Sequence, residues 1–530
     1  MVSVKELQGK RILMTDSAVA GSPSVDAKPV FSNGYRALVL GFLLAAYTFN
    51  FIDRTIIATI GQAIKVDLKI TDTQLGLLGG LSFAVLYTLL GIPIARLAER
   101  WNRVSIISIA LVVWSGFTIA CGFAGNFVSL LIMRVGVGVG EAGCSPPSHS
   151  LISDYFEPKR RATALSIYAF GIPLGGMIGA VAGGWLAKSF GWRVAFMVVG
   201  APGVILALLV RLLIKEPPRG HSDPVQRVAP PAVRGGEAAD GTAAAAPSDH
   251  WMIHEIKELA AVTGDLFSHW PVANMVLGLT MASFAGYGIG QFSAPYFIRA
   301  FNLDYATVGL VFGLIGGFSA GLGTLAGGVV SDWAGKHNPR WYALTPAIGL
   351  AIAVPIYVLA YRAPEWRIAA MILLIPGLFH YTYLGPTFAV VQNVVETRRR
   401  ATASAVMLLC ANLIALGGGP LFTGWIIDMF AQFNFTHPGE HHVLPAIRGM
   451  FDQAPADGHF GVQCPGGAAP KGAPAPLATL CHTSLVTATR QGILVTASFY
   501  VWGAFHYLLA CFGLAKRLAA VAAERKAAEA

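Results

Sequence analysis

Charge is what this sequence most lacks. Only 12% of its 530 residues are Asp, Glu, Lys or Arg, against about 25% in an average soluble domain. Hydrophobic residues make up 55%, and the mean hydropathy is +0.59. Those values exclude a soluble protein and place the chain in a membrane. Cysteine is also scarce, at six residues. Cys121, Cys144, Cys410 and Cys511 lie in apolar stretches and read as small buried residues. No GxxxxGK[ST] loop occurs, so nothing supports direct drive by ATP. The first 34 residues are polar and carry no secretory signal pattern. The formal net charge of +10 belongs to loops and tails, which is topology and not nucleic-acid binding.

Apolar runs dominate what is present. A helix needs about 20 mostly apolar residues to cross a bilayer. Twelve such spans are expected, at 37–61, 74–95, 104–124, 127–150, 162–187, 193–214, 272–298, 306–330, 342–361, 367–391, 401–427 and 488–514. They are numbered spans 1 to 12 below. Basic residues cluster on one side: Arg96, Arg100 and Arg103 after span 2, Lys159, Arg160 and Arg161 after span 4, Arg398, Arg399 and Arg400 after span 10. The positive-inside rule then puts both termini in the cytoplasm, of a plasma membrane or a bacterial inner membrane.

The expected organisation is a cytoplasmic tail (1–36), a six-helix bundle (37–214), a cytoplasmic linker (215–271), a second bundle (272–514) and a tail (515–530). The linker is rich in Pro, Ala and Gly, and 217–250 is expected to be disordered. The segment "WMIHEIKELAAVTGDLF" that follows has apolar residues at helical spacing and reads as a surface helix. A long extracytoplasmic loop spans 431–484. The halves repeat: "EPKRRATALS" after span 4 answers "ETRRRATASA" after span 10, and "ARLAERWNR" after span 2 answers "GGVVSDWAGK" after span 8. The fold class is therefore an all-α membrane protein with two six-helix, pseudo-repeated halves around a central site.

The informative charges are inside the membrane. Asp53 and Arg54 sit within span 1, and Arg134 and Glu141 within span 4. A buried charge costs a few kcal/mol or more unless paired or hydrated. Neighbours on a helix point about 100° apart, so Asp53 and Arg54 need partners elsewhere. Counted from the outer helix ends, Asp53 and Arg134 both lie roughly 11–12 Å deep, which makes them the first expected pair. Glu141 lies nearer the midplane, without a partner of its own. The glycines around it leave room for substrate, water or a close helix.

Two readings compete. One is a static salt bridge between helices. The other is proton coupling through Asp53 and Glu141: a poorly solvated carboxylate holds its proton more tightly, and a nearby arginine opposes this. Motion that separates them links conformation to proton uptake. Arg54 and Arg134 would then be counter-charges or hold an anionic headgroup. No Lys, Arg, Asp or Glu lies well inside spans 7, 8, 10 or 12. Tyr287, Gln291, His380, Tyr383 and Asn412 supply milder polar groups, read as cavity candidates or as interhelical hydrogen bonds. One charged half and one aromatic half suit an amphiphile.

In the 431–484 loop, Cys464 and Cys481 face the oxidising side by this topology, so a disulfide is expected there. His437, His441, His442 and His482 lie nearby, but their spacing fits no zinc motif. No metal or cofactor is expected.

The loop after span 2 resembles the major facilitator loop signature, with Glu99 where Asp is usual and Asn102 where Gly is usual. "NFIDR" with "RVGVGVGEAG…DYFEPKRRATALS" resembles the spinster-type lysolipid transporters. The first resemblance implies the twelve-helix major facilitator fold, a monomer, and a cytoplasmic gate at Glu99, Arg100, Arg103, Asp332 and Lys336. "GIPLGG" at 171–176 weakly resembles the Gly-Pro signature of many antiporters. The second resemblance implies a transporter of lysolipids or similar amphiphiles, with protons, membrane lipids and a lipid-like substrate as partners and no nucleic acid. An organic anion/proton symporter is the alternative. A lipid-modifying enzyme lacks a nucleophile–base pair, since Ser148 and His149 are merely adjacent. A non-transporting sensor on the same fold would bind without flux.

Overall fold

The computed structural model describes residues 31–222, 251–395, 400–439 and 459–529. Most of the linker, the stretch with His441 and His442, and Arg398 and Arg399 lie outside the described residues. All regular structure among the described residues is helical. Eleven helical stretches are long and apolar enough to span a membrane. One of them, Thr163–Leu213, runs through spans 5 and 6. It is broken at Gly191, whose φ of 84° is a conformation that glycine adopts freely. Twelve spans result.

Several spans reach further than their apolar stretches. Span 1 is one helix, Asn33–Leu68. Lys69 ends it in the left-handed region, with φ 53°. Span 2 starts at once, at Asp72, behind a Thr71–Gln74 capping box. Span 7 is Trp270–Phe301, and span 12 begins at Ala475. The segment after the linker is a helix, Trp251–Ser268. Spans 8 and 11 each contain a π-helical turn, Ile315–Ser319 and Cys410–Leu416. Such turns recur at functional sites in helical proteins.

Small residues set how the helices approach. Gly175, Gly179 and Gly183 form a stripe on span 5 against Thr48, Ile52 and Ile56 of span 1. A Cβ on Gly179 would sit 2.9 Å from the Ile52 Cα. This packing fixes the face of span 1 that carries Asp53. Gly179→Val is expected to cost about 1–3 kcal/mol through overpacking. A lower melting temperature and poorer monodispersity in detergent would register that cost. Gly136, Gly138 and Gly140 on span 4 likewise meet Phe117, the Phe83 carbonyl and Trp114, so close helix contact occupies the room beside Glu141.

Spans 1 and 12 place both ends of the membrane domain on one side, here the terminal face. On the opposite, distal face a disulfide joins Cys464 to Cys481. It ties the Pro465–Gly467 turn to span 12. That turn rests on the end of span 1: a Cβ on Gly466 would lie 3.0 Å from the Lys65 carbonyl.

Candidate functional site

Span 1 turns its two central charges in different directions. Arg54 Nε donates to Glu141 Oε2 of span 4 at 2.8 Å. The Arg54 side chain is 18% exposed and that of Glu141 is 0%. The guanidinium also sits in an aromatic box. Its carbon lies 4.5 Å from the ring centres of Phe83 and Tyr87 and 5.1 Å from that of Phe51, inside cation–π range. Asp53 faces span 3, where Thr118 Oγ1 donates to its Oδ2 at 3.1 Å.

The expected Asp53–Arg134 ion pair does not form. Arg134 is buried and points its guanidinium at two backbone carbonyls, of Leu78 and Asp53, each at 3.4 Å. The two residues are level, since Arg134 reaches the Asp53 carbonyl, but the Asp53 carboxylate is turned toward Thr118 of span 3. Glu141 does have a partner, and it is Arg54.

Polar capacity is left over around this pair. Asp53 Oδ1 is buried without a hydrogen-bond partner, and Glu141 Oε1 makes no well-formed hydrogen bond, with Asn50 the nearby polar side chain in reach of Glu141. Buried polar groups are normally satisfied, and exceptions call for an explanation. Unsatisfied carboxylate oxygens are groups that a proton or a polar headgroup can engage.

The other half contributes one of its predicted residues to this centre. Tyr287 of span 7 is 41% exposed and within electrostatic reach of Arg54 and Tyr87. The rest are used otherwise. Gln291 is buried and packs over Gly79 of span 2. Tyr383 shares a 2.8 Å hydrogen bond with Ser283. His380 Nδ1 meets Tyr357 Oη at 3.0 Å. Asn412 is half-buried in the π turn of span 11. Tyr383 and His380 thus join helices within their own half.

The predicted gate residues do not meet across the halves among the described residues. Arg103 is fully buried and binds Glu216 Oε1 at 2.6 Å, Ser150 Oγ at 2.8 Å, the Pro217 carbonyl at 3.0 Å, and Asp154. All of these belong to the first half or the chain just after it. Glu99 pairs with Arg96 at 3.0 Å on one helix turn. Tyr342 Oη donates to Asp332 at 2.9 Å, while Arg100 and Lys336 are exposed.

The halves are instead joined at the distal face, by residues that the hydropathy reading left in loops. Asp72 of span 2 accepts Lys65 Nζ at 2.7 Å and Arg299 Nη2 at 2.6 Å. Arg299, from span 7, also donates to Gln62 at 2.7 Å. Asp428 of span 11 accepts from the Asp72 and Thr73 backbone. Lys188 and Asp304 make a more exposed bridge at 3.2 Å. The contacts of Asp72 and Gln62 with Arg299, of Thr73 with Asp428 and of Lys188 with Asp304 thus join the halves at this face. The only available signal was the charge-dense turn "KVDLKITD" beside "FIRAF", and one sequence does not pair them. Among the described residues no group of three or more His, Cys, Asp or Glu is placed to hold a metal ion.

Comparison with known proteins agrees with this architecture. The family model "Major Facilitator Superfamily" matches residues 43–420. An MFS-type efflux pump of Mycolicibacterium smegmatis is 30% identical over 73% of this chain and 84% of its own length. The mouse sphingosine-1-phosphate transporter SPNS2 is 27% identical over 72% of this chain and 68% of its own. The crystal structure of a bacterial homologue of the human lysosomal transporter Spinster, inward-facing and unoccupied, superposes with a TM-score of 0.75. It is 32% identical, over 92% of this chain and 99% of that one. The chain belongs to the major facilitator superfamily, in its spinster-type branch, and is a multi-pass membrane transporter.

Proposed function

We propose that the chain is a proton-linked secondary transporter that moves lysolipids or similar amphiphiles by alternating access. The observation that carries this reading is the Arg54 guanidinium. It is partly exposed at the centre, boxed by aromatic rings and held by a buried acid. A phosphate or carboxylate headgroup competes with Glu141 for that fork. Glu141, released from Arg54, is then the group that takes the proton. Asp53, with one oxygen on Thr118 and one without a partner, is the second proton site, and Arg134 the nearby counter-charge.

Tyr287 faces the charged side. A largely apolar hollow lined by Phe284, Leu421, Phe422 and Trp425 lies toward Thr73, at the distal end of span 2, and offers a surface for an alkyl chain away from the charged centre. SPNS2, named for a phosphorylated amphiphile, supports the same substrate class. The protein acts as a monomer without a cofactor. Its terminal face, with the basic loops, is the cytoplasmic one, in a plasma membrane or bacterial inner membrane.

Headgroup exchange tests the substrate class. A lysophospholipid is expected to bind the protein in nanodiscs at least tenfold more tightly than a monoacylglycerol of equal chain length. Equal binding of the two would remove Arg54 as headgroup anchor. Displacement by a short hydrophilic organic acid, with no binding of either lipid, would favour an organic anion/proton symporter.

A further inference from the structure

Span 2 begins with an accounting problem. The first backbone N–H groups of a helix have no partner inside it. At Asp72–Gly79 one of them, Gln74 N–H, goes to Thr71 Oγ1 of the capping box at 3.1 Å. The two before it leave their own half of the protein. Asp72 N–H donates to Asp428 Oδ1 at 2.9 Å, and Thr73 N–H to Asp428 Oδ2 at 2.7 Å. Thr73 Oγ1 adds a third bond to the same carboxylate at 2.6 Å.

The two helices are shaped for this approach. Gly424, one turn before Asp428, faces the Asp72 carbonyl so closely that a Cβ would overlap it. Gly76 meets the Pro420 carbonyl in the same way, and Gly80 that of Leu416. Without these glycines span 11 would stand off, and Asp428 would fall short of the helix end. The carboxylate also meets the positive end of the span 2 dipole, where an anion is favoured.

We propose that Asp428 is the latch of the distal closure: a carboxylate of one half that caps a helix of the other, released each time that face opens. This rests on the alternating-access part of the proposed function, and on neither its substrate nor its proton. The geometry suits a reversible contact. Asp428 is half-buried at the edge of the membrane domain, so water replaces all three bonds once the halves part. The Asp72–Arg299 pair beside it is fully buried, and gains its water only after the edge has opened. Asp428 acts here as a positioning residue for the closed state.

Spin labels at exposed Ser189 of the first half and Glu365 of the second report the distance across the distal face. Half-buried Cys410 and Cys511 are replaced by serine in this background. Asp428→Asn retains the shape but loses the charge-assisted bonds. The long-distance population is expected to rise about tenfold or more relative to the parent. Thr73→Val, which removes one bond and no charge, is expected to shift it the same way by a smaller factor. Asn126→Ala removes a cap within one half, where Asn126 accepts from Ser129 N–H at 2.9 Å. It serves as the control and is expected to lower the melting temperature without lengthening the distance. If Asp428→Asn and Thr73→Val leave the distribution as in the parent, or shift it no more than Asn126→Ala, the latch is wrong. A shift in a protein that carries no lysophospholipid would retain the latch and remove the substrate assignment.

Discussion

Arg54→Ala is expected to reduce lysolipid transport to the background of empty vesicles. Two losses coincide in this variant. The headgroup loses its fork, and Glu141, fully buried, loses the arginine it is bonded to. Breaking one side of a buried pair costs about 3–5 kcal/mol, so stability should fall as well. The double variant Arg54→Ala/Glu141→Gln separates the two effects, because it leaves no stranded charge. It is expected to melt near the wild type yet remain inactive. Arg54→Lys is expected to fold and to transport poorly, since an ammonium neither forks onto a phosphate nor stacks flat in the box of Phe51, Phe83 and Tyr87. Normal flux in the double variant would show that the pair is a structural brace.

The second large effect is expected at the distal face. Asp72→Ala leaves Lys65 and Arg299 facing each other, both buried, with Asp428 as the remaining nearby anion. Two cations of like sign in that setting are expected to cost about 3–5 kcal/mol. The face is also expected to open, because the Arg299–Asp72 pair joins the halves directly. Thermal melting reads the first consequence. Labelling of a cysteine at Gln291, buried in the wild type against Gly79, reads the second. Arg299→Gln is expected to act in the same direction, since it removes the same bridge. Unchanged melting and no labelling would mean that the apolar seam of spans 2 and 11 closes this face by itself.

These effects also show what could be read from sequence. Span number, duplicated halves and the four intramembrane charges were legible, because bilayer thickness imposes long apolar runs and makes each interruption conspicuous. Partner choice was not. Asp53 and Arg134 are level, but depth does not say which way a side chain turns, and the Asp53 carboxylate faces Thr118. Ending span 1 at 61, seven residues before its helix ends, put Lys65 and Asp72 in a loop, and ending span 7 at 298 left Arg299 just beyond it. Helices extend beyond the hydrocarbon, and their charged ends form the layer that joins the halves. Periodicity likewise cannot tell a tyrosine in a cavity from one between helices. Tyr287 and Tyr383 are similar on paper, yet one is exposed at the centre and the other is bonded to Ser283.

The most direct test of the account is lysophospholipid flux in proteoliposomes, with and without a pH gradient, for wild type, Asp53→Asn and Glu141→Gln. Wild-type flux is expected to respond to the gradient several-fold. Both variants should fold, and their flux should no longer respond. A wild type indifferent to the gradient, or variants that follow it as the wild type does, would contradict proton coupling through these carboxylates.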